Sequence, residues 1–177
     1  MKSKLTKNIA YGALFTALIA VSAWIAVPVP ATNISFTLQT FVVLLAPALL
    51  GPKTGTAAVL CYIAIGALGA PVFSGFRGGI GVIAGVTGGY MVGFVLTAIV
   101  VGLAKTVFGM RIVPLAVSMA IGIVLCYAFG TAWFCIIYEG EMTFGAALTM
   151  CVLPYIPFDA IKAAAALIIA RRTYKYI

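Results

Sequence analysis

Two side chains of opposite charge, Asp159 and Lys162, lie three residues apart in an otherwise apolar segment near the C-terminus. On a helix this spacing places both on one face, where a carboxylate acceptor and an ammonium donor could hold one polar ligand. Charges within apolar helices are costly and usually face a cavity or a partner charge. Two interpretations stay open: a ligand site, or an ion pair that only lowers its own cost of insertion. We favour the ligand site, because a pair without a further role can be replaced by apolar residues at no loss.

Two interrupted segments farther up the chain contain other polar residues. The first, 27–37, has the prolines and small polar residues of an ordered outer loop that could act as a lid. A helix over 38–50 follows and is only about 20 Å long, so its N-terminus is expected below the outer surface, with free N–H groups. Gln39, in its first turn, either contacts a ligand or bonds a neighbouring helix. The second segment, 71–90, is rich in glycine and contains Arg77 and Tyr90, a cation and an aromatic hydrogen-bond donor.

Small residues recur every four positions in two places, a spacing that lets helices approach closely. Four glycines follow this spacing between 81 and 93, and they predict helix packing. Ala13 and Ala17 form an AxxxA step in the first apolar segment. This step predicts a close-packing face, directed either into the protein or at a second protein.

The composition predicts an integral membrane protein. Of 177 residues, 64 % are apolar and 8 % are charged, with 11 Lys and Arg, 3 Asp and Glu, and no histidine. A soluble domain has about 25 % charged residues. The absence of histidine excludes Ser-His-Asp and Cys-His catalysis, and three carboxylates leave little for a metal site. With no nucleophile–base pair and no P-loop in the sequence, we expect neither an enzyme nor an ATPase.

Six apolar segments predict an all-α membrane protein with six transmembrane helices in a single domain covering 1–177. Interruptions by glycine, proline or charge bound each segment. Pro157 predicts a helix start or a break inside the sixth. The predicted spans are 9–27, 38–50, 55–70, 86–104, 112–137 and 146–170.

The placement of basic residues predicts that both termini are cytoplasmic. With six spans, nine of the eleven Lys and Arg fall in the tails and loops of that side, as the positive-inside rule requires. The other two are Arg77, in an outer loop, and Lys162. This arrangement accounts for the net charge of +8 without a nucleic-acid partner.

Five motifs lie in register along nearly the whole chain. They are Thr37-Leu38-Gln39-Thr40, Leu50-Gly51-Pro52, the run GALGAPVF at 66–73, Thr87-Gly88-Gly89-Tyr90, and Pro157-x-Asp159-x-x-Lys162. Together they resemble the motifs of the biotin-specific substrate-binding (S) component of energy-coupling factor (ECF) transporters, the BioY family. Val86 stands where the family motif Gly-Pro-Thr-Gly-Gly-Tyr has its proline, which bears on the rigidity of that loop more than on its role.

The resemblance implies a multi-pass protein of the prokaryotic plasma membrane that captures biotin near the outer face. It implies partners as well, namely a transmembrane coupling protein and two cytoplasmic ATPases. ATP is then used by the partners, and this chain binds no cofactor. The family's contact with the coupling protein carries onto Ala13 and Ala17, and its ligand-binding motif carries onto Asp159 and Lys162.

Biotin has two ureido N–H donors, a ureido carbonyl, an apolar thiophane ring and a carboxylate. Asp159 could accept the N–H groups, whereas the donors to the two acceptor ends stay unassigned. Aromatic rings would support the apolar part, because small-ligand pockets are mostly apolar. The candidate ligand-binding residues are Phe36, Gln39, Phe73, Arg77, Tyr90, Asp159 and Lys162.

A different function fits the same residues. A self-sufficient secondary vitamin carrier would use Asp159 as its proton-coupling site. Uptake by this chain alone, abolished by a proton uncoupler, would favour that alternative.

Overall fold

The computed structural model describes residues 2–28, 35–138 and 143–176. In these ranges the chain is helical apart from one short β-hairpin and its connecting loops. Part of the predicted lid loop 27–37 lies outside the described residues. The elements are α1 (Lys2–Trp24), β1 (Ala26–Pro28), β2 (Ser35–Thr37), α2 (Gln39–Ala67), α3 (Ile80–Ala84), α4 (Gly88–Phe108), α5 (Ile112–Ile137), α6 (Phe144–Cys151), α7 (Ile156–Thr173) and a terminal 3₁₀ turn (Tyr174–Tyr176).

Four of these helices, α1, α2, α4 and α5, are long and apolar enough to cross a membrane. Helices α6 and α7 meet the same standard of length and apolar composition only as a pair, bent by 51° at a short break. The predicted bounds 112–137 coincide with α5, and α4 is displaced by a few residues from 86–104. The first predicted span, 9–27, begins inside α1 but extends three residues past this helix, which starts at Lys2 and ends at Trp24. It ends early because the following residues pair with β2, with Ala26 opposite Thr37.

Helix α2 reverses direction at Gly51, whose backbone (φ 80°, ψ −178°) is not helical. A methyl group added to Gly55 would lie only 2.5 Å from the Pro47 Cα atom. Residues eight apart on a straight helix are separated by about 12 Å. Gln39 and Tyr62, 23 positions apart, are likewise joined by a hydrogen bond. The limbs 39–50 and 52–67 are therefore antiparallel.

This hairpin accounts for the two predicted segments 38–50 and 55–70, with a correction at the second. The second limb ends at Ala67 rather than at residue 70. Gly69 follows with a φ of 101°, which is accessible to glycine but not to most side chains, and the chain leaves the helix there.

The predicted sixth segment, 146–170, is two helices rather than one. Helix α6 ends at Cys151 and α7 begins at Ile156, so Asp159 lies in the first turn of α7. Pro154 lies in the break, and Pro157 occupies the start of α7, where a missing N–H has no cost. Of the two alternatives predicted from Pro157, the helix start is confirmed.

Two of the four spaced glycines pack helices together. A methyl group at Gly89 would overlap the Phe129 carbonyl oxygen, and one at Gly93 would lie 2.5 Å from the Cys126 Cα, so α4 and α5 are in close contact there. A methyl group at Gly81 meets nothing within 4 Å, and one at Gly85 meets only α3 carbonyls. The packing prediction is therefore wrong for these two. The main core lies where the α2 hairpin packs against α1, α4 and α7.

Candidate functional site

An open cavity of about 90 Å³ lies between the α2 hairpin, α4, α5 and the start of α7. Strand β2, the loop after α2, α3 and the end of α6 also contribute to its wall. Its polar lining residues include Thr37, Gln39, Tyr62, Tyr90, Tyr127, Asp159 and Lys162.

Asp159 and Lys162 form an ion pair at the wall of this cavity. The Lys162 Nζ donates to Asp159 Oδ1 at 2.8 Å, and the two residues are 4 % and 8 % exposed, respectively. The pair follows from the three-residue spacing on α7, which places both side chains on its buried face. The charges neutralise each other and also line the cavity, which is compatible with both interpretations of the sequence.

Other elements contribute further hydrogen bonds to the pair. The Tyr127 hydroxyl, on α5, donates to Asp159 Oδ2 at 2.6 Å. The Lys162 ammonium donates to the Thr37 carbonyl at 2.6 Å and lies 4.1 Å from the Phe36 ring centroid. A carboxylate accepts up to about four hydrogen bonds and an ammonium donates three. The pair thus retains one donor and further acceptor positions beyond its partners among the described residues.

Gln39 also lines the cavity, and the α2 hairpin holds it in place. Its side-chain amide donates to the Tyr62 hydroxyl at 2.7 Å and accepts from the Thr37 hydroxyl at 3.1 Å. Tyr62 packs edge-on against Phe73, with ring centroids 5.5 Å apart. The Phe73 ring occupies the space that a side chain on Gly66 would need. These contacts fix an aromatic wall beside an amide, a combination suited to a ligand with both apolar and polar parts.

Tyr90 and Phe36 have different relations to the cavity. Tyr90 lines it directly, and its hydroxyl lies 3.4 Å from the Cys151 carbonyl at the end of α6. Phe36 does not line it and instead packs against Tyr155 and Phe158, with centroids 5.8 and 4.7 Å away. Its ring contacts the Lys162 ammonium through a cation–π interaction.

Arg77 lies outside the cavity wall and is exposed. It closes a tight loop in which the Phe73 N–H donates to its carbonyl, and its Nε donates to the Ser74 carbonyl at 3.1 Å. Phe73 and Ser74 do line the cavity, so the Arg77 side chain contacts a lining residue without lining the cavity itself. Of the seven candidates, the structure brings together Gln39, Phe73, Tyr90, Asp159 and Lys162 at the wall.

Sequence reasoning missed two tyrosines, Tyr62 and Tyr127. Each carries a hydroxyl within an apolar helix, where such a group requires a hydrogen-bond partner. That requirement marks both tyrosines as candidates for a polar site. The sequence does not identify their partners, which are Gln39 for Tyr62 and Asp159 for Tyr127.

Ala13 and Ala17 lie on the exposed side of α1. They border an apolar groove between α1 and the second limb of α2. Thr16, between them, is buried instead, and its hydroxyl donates to the Ala58 carbonyl at 3.1 Å. The AxxxA step is therefore directed out of the protein and not at a neighbouring helix of the described chain.

Comparisons with known proteins agree with this architecture. The BioY family model matches residues 1–177. The biotin transporter BioY of Thermotoga maritima is 41 % identical over 162 residues, which cover 92 % of each chain. A probable biotin transporter BioY of Pyrococcus horikoshii is also 41 % identical, over 94 % of this chain and 95 % of that protein.

A solved structure is similar over nearly the whole length. It is the crystal structure of the S-component for biotin from an ECF-type ABC transporter, with a TM-score of 0.91 and 26 % identity. The match covers 99 % of this chain and 94 % of that one. The resemblance read from the five motifs is thereby confirmed, and so is the expectation that the protein is not an enzyme, since the matched relatives are transporters. The chain belongs to the BioY family.

Proposed function

We propose that this chain is the substrate-binding component of an ECF-type importer, which captures biotin from the outer side. The observation that carries the proposal is the cavity, whose lining combines a buried acid–base pair with aromatic rings and a side-chain amide. The names of the relatives and of the similar structure support biotin as the ligand.

The chemistry of the wall suits the parts of biotin. Asp159 accepts the ureido N–H groups, and Lys162, Gln39 or Tyr90 donates to the ureido carbonyl. Phe73 and the Tyr90 ring pack against the thiophane ring, while Phe36 contributes through the position of Lys162. The valerate carboxylate pairs with Arg77 at the rim, with Lys162, or with the N–H groups at the start of α2.

The transmembrane arrangement that we propose has six crossings in a single domain, with both termini in the cytoplasm. The reversal at Gly51 supports counting the two limbs of α2 separately, and the bent pair α6–α7 counts as one crossing. The distribution of Lys and Arg supports the orientation. The protein then lies in the cell membrane, with its cavity opening outward.

The importer that we propose contains a transmembrane coupling protein, which contacts α1 through Ala13 and Ala17, and two cytoplasmic ATPases. Small exposed residues support this contact, because they let a partner helix approach closely. ATP is hydrolysed on the partners, and this chain carries no cofactor.

Equilibrium binding of purified protein to a panel of vitamins tests the ligand. We expect selective binding of biotin, with at least 100-fold weaker binding of thiamine and riboflavin, which lack a cyclic urea beside a carboxylate tail. Equal binding of the panel, or no binding, contradicts the proposal. Uptake into vesicles that contain this chain alone, abolished by a proton uncoupler, would instead support the secondary carrier.

A further inference from the structure

Tyr127 joins helix α5 to the acidic group of the site. Its hydroxyl lies 2.6 Å from Asp159 Oδ2, although the two residues are 32 positions apart. The ring is half-buried and lines two spaces at once, the ligand cavity and an apolar groove between α5 and α7. Tyr127 is therefore part of the wall that separates the site from the surface of the helix bundle.

The two oxygens of Asp159 have different donors. Lys162 donates to Oδ1 from the same helix, and Tyr127 donates to Oδ2 from α5. The terminal torsion of an aspartate side chain is broad and has little preference of its own. Two donors from different elements restrict it, whereas Lys162 alone would leave the carboxylate free to turn its second oxygen toward the ammonium.

From this geometry we infer that Tyr127 is a positioning residue, which holds the Asp159 carboxylate in the orientation that receives the ureido N–H groups of biotin. The inference rests on the proposed function and adds a residue to it. Packing alone does not require the hydroxyl, because a phenyl ring would fill the same wall. The hydroxyl acts through Asp159 and does not itself need to touch the ligand.

A double-mutant cycle tests this role on the full-length protein in detergent. Tyr127→Phe is expected to weaken biotin binding about tenfold, close to the lower end of the range for a hydrogen bond to a charged group. In the Asp159→Asn background the same change should alter affinity less than twofold, because the group that it orients has been replaced. Tyr138→Phe, directly after the end of α5 and outside the cavity wall, is the matched control and should leave affinity unchanged.

Dethiobiotin provides a second measurement that a loss of packing would not reproduce. It keeps the cyclic urea but lacks the sulfur, so Tyr127→Phe should weaken its binding by the same factor as that of biotin. A loss confined to biotin would place the effect at the thiophane ring and overturn the inference.

The other outcomes are equally decisive. Affinity within twofold of wild type for Tyr127→Phe overturns the positioning role, as does an undiminished effect in the Asp159→Asn background. Failure of Tyr127→Phe to fold overturns it too, because the hydroxyl would then be a structural requirement. If the unaltered protein binds no biotin, the proposed function itself fails. If the unaltered protein binds biotin, the outcomes above test the role of Tyr127 alone.

Discussion

The start of α7 and the middle of α1 use polar groups in opposite ways. On α7, Asp159 and Lys162 are buried at a cavity and bonded to residues of β2 and α5. On α1, Ala13 and Ala17 are exposed, and the hydroxyl between them, that of Thr16, is turned inward to the Ala58 carbonyl. Helix α7 thus directs charged side chains into the protein, whereas α1 presents small apolar side chains at the protein surface.

This difference matches two separate tasks in the proposed importer. Buried charges recognise a small polar ligand but are poorly suited to a helix–helix contact within a membrane. Small apolar residues let a partner helix approach closely but offer a ligand no hydrogen bonds. The comparison predicts that capture and docking can be disrupted independently, by changes on different helices.

The largest effect is expected at α1. Ala17→Trp, or Ala13→Trp, should abolish biotin uptake and copurification with the coupling protein, because the indole prevents the close approach of a partner helix. Biotin affinity of the purified chain should stay within twofold of wild type, since neither residue lines the cavity.

Leu14→Trp is the matched control for α1, because Leu14 is exposed on the same helix but does not line the groove. It should leave uptake and copurification intact. Normal copurification of the Ala17→Trp variant would show that the exposed face of α1 is not the docking surface.

The second largest effect is expected at α7. Asp159→Asn leaves the buried Lys162 ammonium without its anion and removes the acceptor for the ureido group. We expect a loss of about 2 kcal/mol or more, which is at least about thirtyfold in the biotin dissociation constant. Lys162→Ala should cost a similar amount, measured by titration of the purified protein, and copurification with the coupling protein should persist.

Arg171→Gln controls for the change of charge on α7, because Arg171 is exposed in the last turn of that helix. It should leave affinity within twofold of wild type. If Asp159→Asn and Lys162→Ala also stay within twofold, the pair neutralises only itself, and the contrast between α7 and α1 no longer concerns ligand binding.

Local features of the sequence predicted most of the helices and the ion pair. The Asp159–Lys162 contact depends only on spacing along one helix, and α5 only on a continuous apolar run. The break at Gly51 and the helix start at Pro157 depend on backbone properties of single residues. In each case the determining information lies within a few positions of the chain.

Features that depend on distant neighbours could not be predicted in this way. Tyr127 meets Asp159 only because α5 packs beside α7, and Gln39 meets Tyr62 only because α2 reverses. The exposure of Arg77 depends on how its loop closes on Phe73. A sequence pattern indicates that a buried hydroxyl or a cation needs a partner, but the packing decides which partner it has.

The smallest effect is expected at Arg77, which shares the basic character of Lys162 but lies exposed outside the cavity wall. Exposed ion pairs contribute about 0.2–1 kcal/mol, so Arg77→Gln should weaken biotin binding at most about fivefold. Salt should reduce the difference further, because solvent-exposed charges are screened. Titrations at low and high ionic strength measure both effects, with Arg111→Gln, exposed at the start of α5, as a control of equal charge change. A thirtyfold loss, as large as that at Asp159, would show that the 71–79 loop closes and buries Arg77 against the ligand.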